Sequence, residues 1–309
     1  MKKTPVIIDC DPGHDDAIAL ILAFAGGVLD VKAVTVTGGN QTLDKTLRNA
    51  KKVLTFIGKR CPVAAGAAKP MCRELVTAPS VHGESGMDGP ALGEPDFDEE
   101  PVSAVELLRK IITENPEPVT LIPTGPLTNL GILFSLYPEV KKNISRISLM
   151  GGGIETGNWT SAAEFNIFVD PEAADIVFKS GIPITMSGLD VTHKALIMQD
   201  EIEKLKKSGN RVSRLAGELM EFYSRFHKSL GTVGSPLHDP CAVAYVIKPE
   251  LFTVKSYHVD IECHGKHTAG MTLADRRPWS GAARNADVCV DVDRKGFIDL
   301  VIQACESYN

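Results

Sequence analysis

Val6-Ile7-Ile8-Asp9-Cys10-Asp11-Pro12-Gly13-His14-Asp15-Asp16, leading into the apolar run from Ala17 to Ala25, is the stretch whose reading decides the fold. A short β-branched run that meets Pro-Gly and passes straight into an apolar helical pattern reads as a buried strand turning into a helix. Four carboxylates, Asp9, Asp11, Asp15 and Asp16, crowd this one turn. Like charges so close repel, so a positive partner is expected among them, and a hard divalent cation is the natural candidate. The alternative is an acidic turn whose early Asp residues cap a helix N-terminus.

Outward from this turn the chain repeats the same rhythm. Strands are expected at 5–10, 31–37, 118–123, 144–150 and 182–188, with helices at 16–26, 43–58, 102–114 and 171–180 between them. Alternation of this kind specifies an α/β fold, an open and mostly parallel Rossmann-like sheet flanked by helices. Residues 199–230 read as mainly helical with a break at Gly209-Asn210; beyond 251 come strands at 257–263, 268–273 and 288–292 and a closing helix near 295–307. No repeat, low-complexity tract or linker interrupts the pattern, so one domain over 1–309 is expected.

The segments just beyond the parallel strands point to function. The Asp cluster comes after the first strand, Gly38-Gly39-Asn40 after the second, and Thr124-Gly125-Pro126-Leu127-Thr128-Asn129 after the third. Gly151-Gly152-Gly153 and then Glu164-Phe165-Asn166 come after the fourth, and Gly188 to His193 after the fifth. Ligands of open α/β sheets bind beyond the carboxyl ends of the strands, so these segments should converge on one active-site crevice. Segments 9–16, 37–40, 82–90, 123–129, 150–166 and 238–246 together contain no Lys or Arg. An anionic ligand would need such cations or a phosphate-binding nest, and no G-x-x-x-x-G-K-[ST] is present. Carboxylates and amides instead suit vicinal hydroxyls beside a metal ion, which means a neutral polyol or sugar. Two histidines stand out: His238, before Asp239-Pro240 at an apparent helix start, and His82, opening a Gly-rich loop that could move. Each reads either as a site residue or as an ordinary packed histidine.

Composition narrows the classes. With 43% hydrophobic residues in 309, the chain is globular and long enough to bury a sizeable core. Its net charge of −6, without any basic segment interleaved with aromatics, argues against a nucleic-acid partner. The apolar run after Met1-Lys2-Lys3 spans only Val6 to Ile8, and no run of about 18 apolar residues occurs, so neither an export signal nor a membrane span is expected. Seven scattered cysteines without a C-x-x-C pair suit a reduced cytoplasm, and Cys10, set between carboxylates, reads as a packing residue.

The motifs, taken in order, resemble a known family. Asp9-Cys10-Asp11-Pro12-Gly13-His14-Asp15-Asp16-Ala17, Gly39-Asn40-Gln41-Thr42, His82-Gly83-Glu84-Ser85-Gly86, Pro123 to Asn129, Met150 to Gly153, Ala163 to Asn166, Asp170 to Ala174 and His238-Asp239-Pro240 are similar to those of the nucleoside hydrolases of the inosine-uridine-preferring superfamily. The similarity runs over essentially the whole chain and looks most like the bacterial ribonucleoside hydrolases that prefer pyrimidines. It implies a calcium ion held by Asp11, Asp16, Asp239 and the backbone carbonyl of Thr124, with Asp11 also accepting a proton from the bound water. It implies ribose contacts from Asp15, Asn40, Asn158, Glu164 and Asn166, with His238 and, more loosely, His82 facing the base; departure of a nucleobase anion is costly, so a proton donor is expected there, and His238 is the candidate. Similar proteins are often homotetramers or dimers. In such relatives a bulky aromatic usually precedes His-Asp-Pro, whereas residues 229–235 here read Ser-Leu-Gly-Thr-Val-Gly-Ser. Phe226 and His227, upstream at a helix end, are the candidates to cover the base, with core packing as the alternative for Phe226. Two rival readings stand beside it: a haloacid-dehalogenase-like phosphatase, which also opens on D-x-D after its first strand, and a calcium-dependent nucleoside-binding protein without turnover.

Overall fold

The computed structural model describes residues 2–308. The central sheet has nine strands: β1 (Thr4–Cys10), β2 (Leu29–Val36), β3 (Val63–Ala65), β4 (Val119–Pro123), β5 (Ile144–Met150), β6 (Ile184–Ser187), β9 (Phe252–Ile261), β10 (Thr272–Asp275) and β11 (Ala286–Val292). Strands β7 (Leu196–Ile197) and β8 (Ser235–Pro236) form a separate two-residue ladder. The helices are α1 (His14–Ala25), α2 (Leu43–Phe56), α3 (Pro79–His82), α4 (Ala104–Glu114), α5 (Thr128–Leu136), α6 (Phe165–Val169), α7 (Pro171–Phe178), α8 (Leu189–Thr192), α9 (Gln199–Lys207), α10 (Arg211–Ser229), α11 (His238–Ile247) and α12 (Arg294–Glu306).

Sheet order is β10-β9-β11-β6-β5-β4-β1-β2-β3. The seven strands from β11 to β3 pair in parallel, while β9 runs antiparallel to both β11 and β10. Each parallel crossover needs a helix to return the chain, which is why β-branched runs alternate here with amphipathic ones. The chain leaves β1 toward β2 and β3 and comes back on the other side as β4, so the order reverses between β1 and β4. The splayed loops at such a reversal open a crevice, and it opens directly above Asp11 and Thr124.

Val6, Ile7 and Ile8 are all fully buried because β1 is covered on both faces. Alternation along the strand sends Val6 and Ile8 into the core under α1, α10, α11 and α12, and Ile7 into the one under α4, α5 and α7. Each such side chain adds about 1.5–3 kcal/mol of burial free energy, enough to hold the strand end rigid beneath the site.

The expected parallel strands and their helices are found, with ends within a few residues, as is the break between α9 and α10. Strand β3 and the β7–β8 ladder have no counterpart in the sequence reading, because two or three residues carry too little periodicity to register. The strand expected at 268–273 lies at 272–275, since hydrogen bonds among Gly265, Thr268, Ala269 and Met271 fold the preceding residues into turns.

Candidate active site

A cavity of about 780 Å³ opens over the strand ends, and no Lys or Arg lines it. Asp15, Asn40, Thr124, Glu164, Asn166 and Asp239 form its acidic floor. Asp11, Asp15, Asp16 and Asp239 are buried together, and Asp15, Asp16 and Asp239 each offer an oxygen within 4.8 Å of one another. Burial and mutual repulsion push all four pKa values up, Asp15 to about 7 and Asp11 and Asp239 well above the usual carboxylate range. Burial disfavours the charged form of each carboxylate, and a bound divalent ion reverses that logic.

The scaffold around Asp11 leaves one of its carboxylate oxygens without a protein partner. Its Oδ2 accepts the Asn40 backbone N–H at 2.7 Å, whereas its Oδ1 is buried with no partner. A Cβ on Gly39 would come within 2.1 Å of Oδ2, and one on Gly125 within 2.5 Å of Oδ1, so only glycine lets both loops close on this carboxylate. Asp16 Oδ1 accepts from the Thr124 hydroxyl at 2.8 Å, and its Oδ2 accepts from the Gly13 N–H at 2.9 Å, an N-terminal capping arrangement. The Asn40 side chain donates to the Asp11 carbonyl and to Asp16, while that of Asn166 donates to the Thr124 carbonyl at 2.8 Å. The metal-ligating groups gathered at this point are all oxygen, so the residues fit a hard cation.

At the sugar side Glu164 caps α6: its carboxylate accepts from the backbone N–H groups of Gly152, Asn166 and Ile167, and burial raises its pKa to about 7. Asn158 Oδ1 accepts from Phe165 N–H, which aligns the loop carrying Trp159 along the cavity wall.

The opposite wall is aromatic. His82, His193, Tyr223, Phe226, His227 and His238 line it. His238 Nδ1 sits 2.8 Å from the Thr192 hydroxyl, and burial among His193, His227 and His82 holds its pKa well below the ordinary value. His227 packs edge-on to Tyr223 with centroids 4.6 Å apart, and its buried Nε2 has no partner.

The family model for inosine-uridine preferring nucleoside hydrolases matches residues 6–299. The chain belongs to that family. It is an N-glycosyl hydrolase. A pyrimidine-specific ribonucleoside hydrolase, RihA, of Photobacterium profundum is 55% identical over 98% of this chain and 99% of its own length. The protein of the same description from Citrobacter koseri is 53% identical over 98% of both chains. Among solved structures, a purine-preferring ribonucleoside hydrolase from Gardnerella vaginalis superposes with a TM-score of 0.92 at 28% identity, covering 98% of each chain.

In this nucleoside hydrolase the residues singled out in the sequence line one cavity or, for Asp11 and Asp16, lie buried beneath its lining, with two differences of arrangement. Asp9, counted among the crowded carboxylates, turns away from the others: its Oδ1 accepts from Thr35 at 2.5 Å and Asn129 at 2.8 Å, tying together the ends of β1 and β2 and the start of α5. Strand alternation imposes this, because Asp9 still lies within β1 and shares the α5 side with Ile7, whereas Asp11 lies past the strand end at Cys10. Asp15, read as a sugar ligand, shares the carboxylate cluster with Asp16 and Asp239, beside Asp11. Phe226 and His227 lie in the last turn of α10, at the helix end, and both border the cavity; Phe226 is half-buried. Tyr223 escaped the sequence reading, while His193 and Trp159 entered it only as members of the strand-end segments and not as site residues. For Tyr223 a signal was present, the 223, 226, 227 spacing that puts three rings on one helix face.

Proposed function

We propose that this nucleoside hydrolase cleaves the N-glycosidic bond of ribonucleosides with calcium, taking uridine and cytidine before inosine and adenosine and releasing ribose and free base. The observation that carries the reading is a cluster of four buried carboxylates, without a neighbouring Lys or Arg, at one end of a cavity whose other wall is histidine and aromatic. The donor set of carboxylate and carbonyl oxygens is the one calcium takes. When bound, such an ion supplies a water of lowered pKa and an anchor for the vicinal ribose hydroxyls.

The chain's own residues do the rest. Asp11, through its unpaired Oδ1, accepts the proton of the attacking water. Asp15, Asn40, Asn158, Glu164 and Asn166 orient the ribose, and the surrounding carboxylates stabilise the oxocarbenium character that develops as the bond breaks. His238, its Nδ1 engaged by Thr192, turns the other ring nitrogen to the leaving base. The 53–55% identity to pyrimidine-specific relatives supports the base preference. A purine-preferring enzyme shares the same fold, so the preference lies in the wall residues and not in the architecture. One domain, a dimer or tetramer of identical chains and a cytoplasmic location belong to the same proposal, and light scattering tests the assembly.

Reducing-sugar release from uridine, cytidine, inosine and adenosine, with and without a calcium chelator, tests the reading. The expected result is chelator-sensitive ribose release that is fastest from the two pyrimidines. Release unaffected by full chelation overturns the calcium assignment, and no release from any nucleoside overturns the substrate assignment.

A further inference from the structure

His14 is the one polar side chain between Asp11 and Asp16 that the mechanism does not use. It opens α1, is fully buried, and its ring lies between those of His82 and Phe222, with centroids 5.4 Å and 5.0 Å away and planes 22° and 2° apart. Its backbone N–H donates to His82 Nδ1 at 3.3 Å, and its own Nδ1 sits 3.2 Å from that same atom. On its far side Nε2 is 2.8 Å from the carbonyl oxygen of Asp88. A carbonyl only accepts, so this nitrogen carries the hydrogen.

Asp88 is itself fixed. Its carboxylate accepts from the backbone N–H of Glu84 at 3.0 Å, that of Ser85 at 3.1 Å and the Ser85 hydroxyl, and its own N–H donates to the His82 carbonyl at 3.2 Å. The Gly-rich loop that the sequence left free to move is therefore wrapped around Asp88, and the His14 ring bolts it to the first turn of α1. The contact is close: a Cβ on Gly13 would meet His82 Nδ1 at 2.5 Å.

This arrangement settles which nitrogen of His82 serves a ligand. Both contacts from His14, backbone N–H and ring Nδ1, converge on His82 Nδ1, so Nε2 is the ring nitrogen left for a ligand. Burial beside His14 and His227 keeps that ring uncharged, and the ring borders the cavity.

We propose that His14 is a positioning residue, holding the His82 ring against the Pro12-Gly13 turn so that its Nε2 is held toward the pyrimidine base. The inference rests on the proposed base-side role of His82.

Four variants test it in the cation-loaded enzyme, with uridine and 4-nitrophenyl riboside as substrates and thermal melting as the check on folding: His14→Phe, His14→Gln, His82→Ala and the double variant His14→Phe/His82→Ala. His14→Phe keeps the stacked ring and loses both nitrogens; it should lower kcat on uridine at least about tenfold, a modest share of what misplacing a catalytic group costs. The nitrophenyl substrate, whose leaving group departs unaided, should change less than about threefold. His14→Gln, able to reach the Asp88 carbonyl, should recover part of the loss. The double variant should be no slower than His82→Ala, because a residue that acts through another adds nothing once that other is gone. Losses that multiply in the double variant, or equal losses on both substrates, overturn the positioning role. If His82→Ala leaves uridine turnover intact, the base-side reading itself fails; if His82→Ala is slow and His14→Phe is not, only the positioning role fails.

Discussion

The acidic floor of the cavity and its histidine wall are built by different means. On the floor, Asp11, Asp16, Asn40 and Thr124 follow the ends of the adjacent strands β1, β2 and β4, and apart from Asp11 Oδ1 their polar atoms are tied to one another or to backbone groups. On the wall, the rings come from α3, α8, α10 and α11, elements distant in the chain, and nitrogens such as His227 Nε2 stay without a partner. The floor is preorganised around fixed oxygens and tolerates no displacement. The wall is a packed surface that a flat base completes, so its residues should act more gradually.

If that contrast holds, floor substitutions should cost most. On the proposed roles Asp11→Asn removes a metal charge and the proton acceptor together, and kcat should fall at least about a hundredfold, with calcium retention followed by calorimetry. Retention of more than a tenth of wild-type turnover would break the assignment. The sugar gives the next largest effect. A site that binds a hydroxyl leaves buried polar groups unpaired when the hydroxyl is missing, so kcat/KM for 2′-deoxyuridine should lie at least roughly a hundredfold below that for uridine. Comparable values would mean that the floor does not read the ribose. Uridine monophosphate should fail too, since no Lys or Arg lines the cavity and Glu164 repels the phosphate.

The wall should yield smaller and more substrate-dependent effects. His238→Ala should slow uridine cleavage and largely spare 4-nitrophenyl riboside, whose leaving group needs no help; equal damage to both points to disrupted packing instead. Smallest of all is the base preference itself. Apolar contacts separate similar ligands by only about 1–3 kcal/mol, so kcat/KM for uridine and cytidine should exceed that for inosine and adenosine by a moderate factor, with purine cleavage still measurable. Inosine as the best substrate would reverse the proposed preference and leave the family membership untouched.

Legibility divides along the same line. The floor could be read in the chain because β1, β2 and β4 deliver their ligands immediately after their last residues, at a place that parallel-sheet topology assigns in advance. Even there the sequence reading placed Asp9 with the other carboxylates, since only the pleat of β1 sends its side chain to Thr35 and Asn129. The wall was harder. His82 and His238 carried motif signals, but Tyr223 and His193 became site residues only when α8 and α10 packed across the crevice.

Periodicity and Pro-Gly punctuation in the sequence determined the α/β class and the strand ends, because those depend on local backbone preference and on which faces must be buried. The concentration of carboxylates without nearby cations determined the oxygen-rich, cation-seeking character of the site, because charge is a property of composition. Tertiary structure alone decided which carboxylates meet and which nitrogen of His82 is available. It also decided that His14, embedded in the acidic motif, serves the loop of Asp88, because contacts between residues 68 and 74 positions apart exist only after the chain has closed on itself.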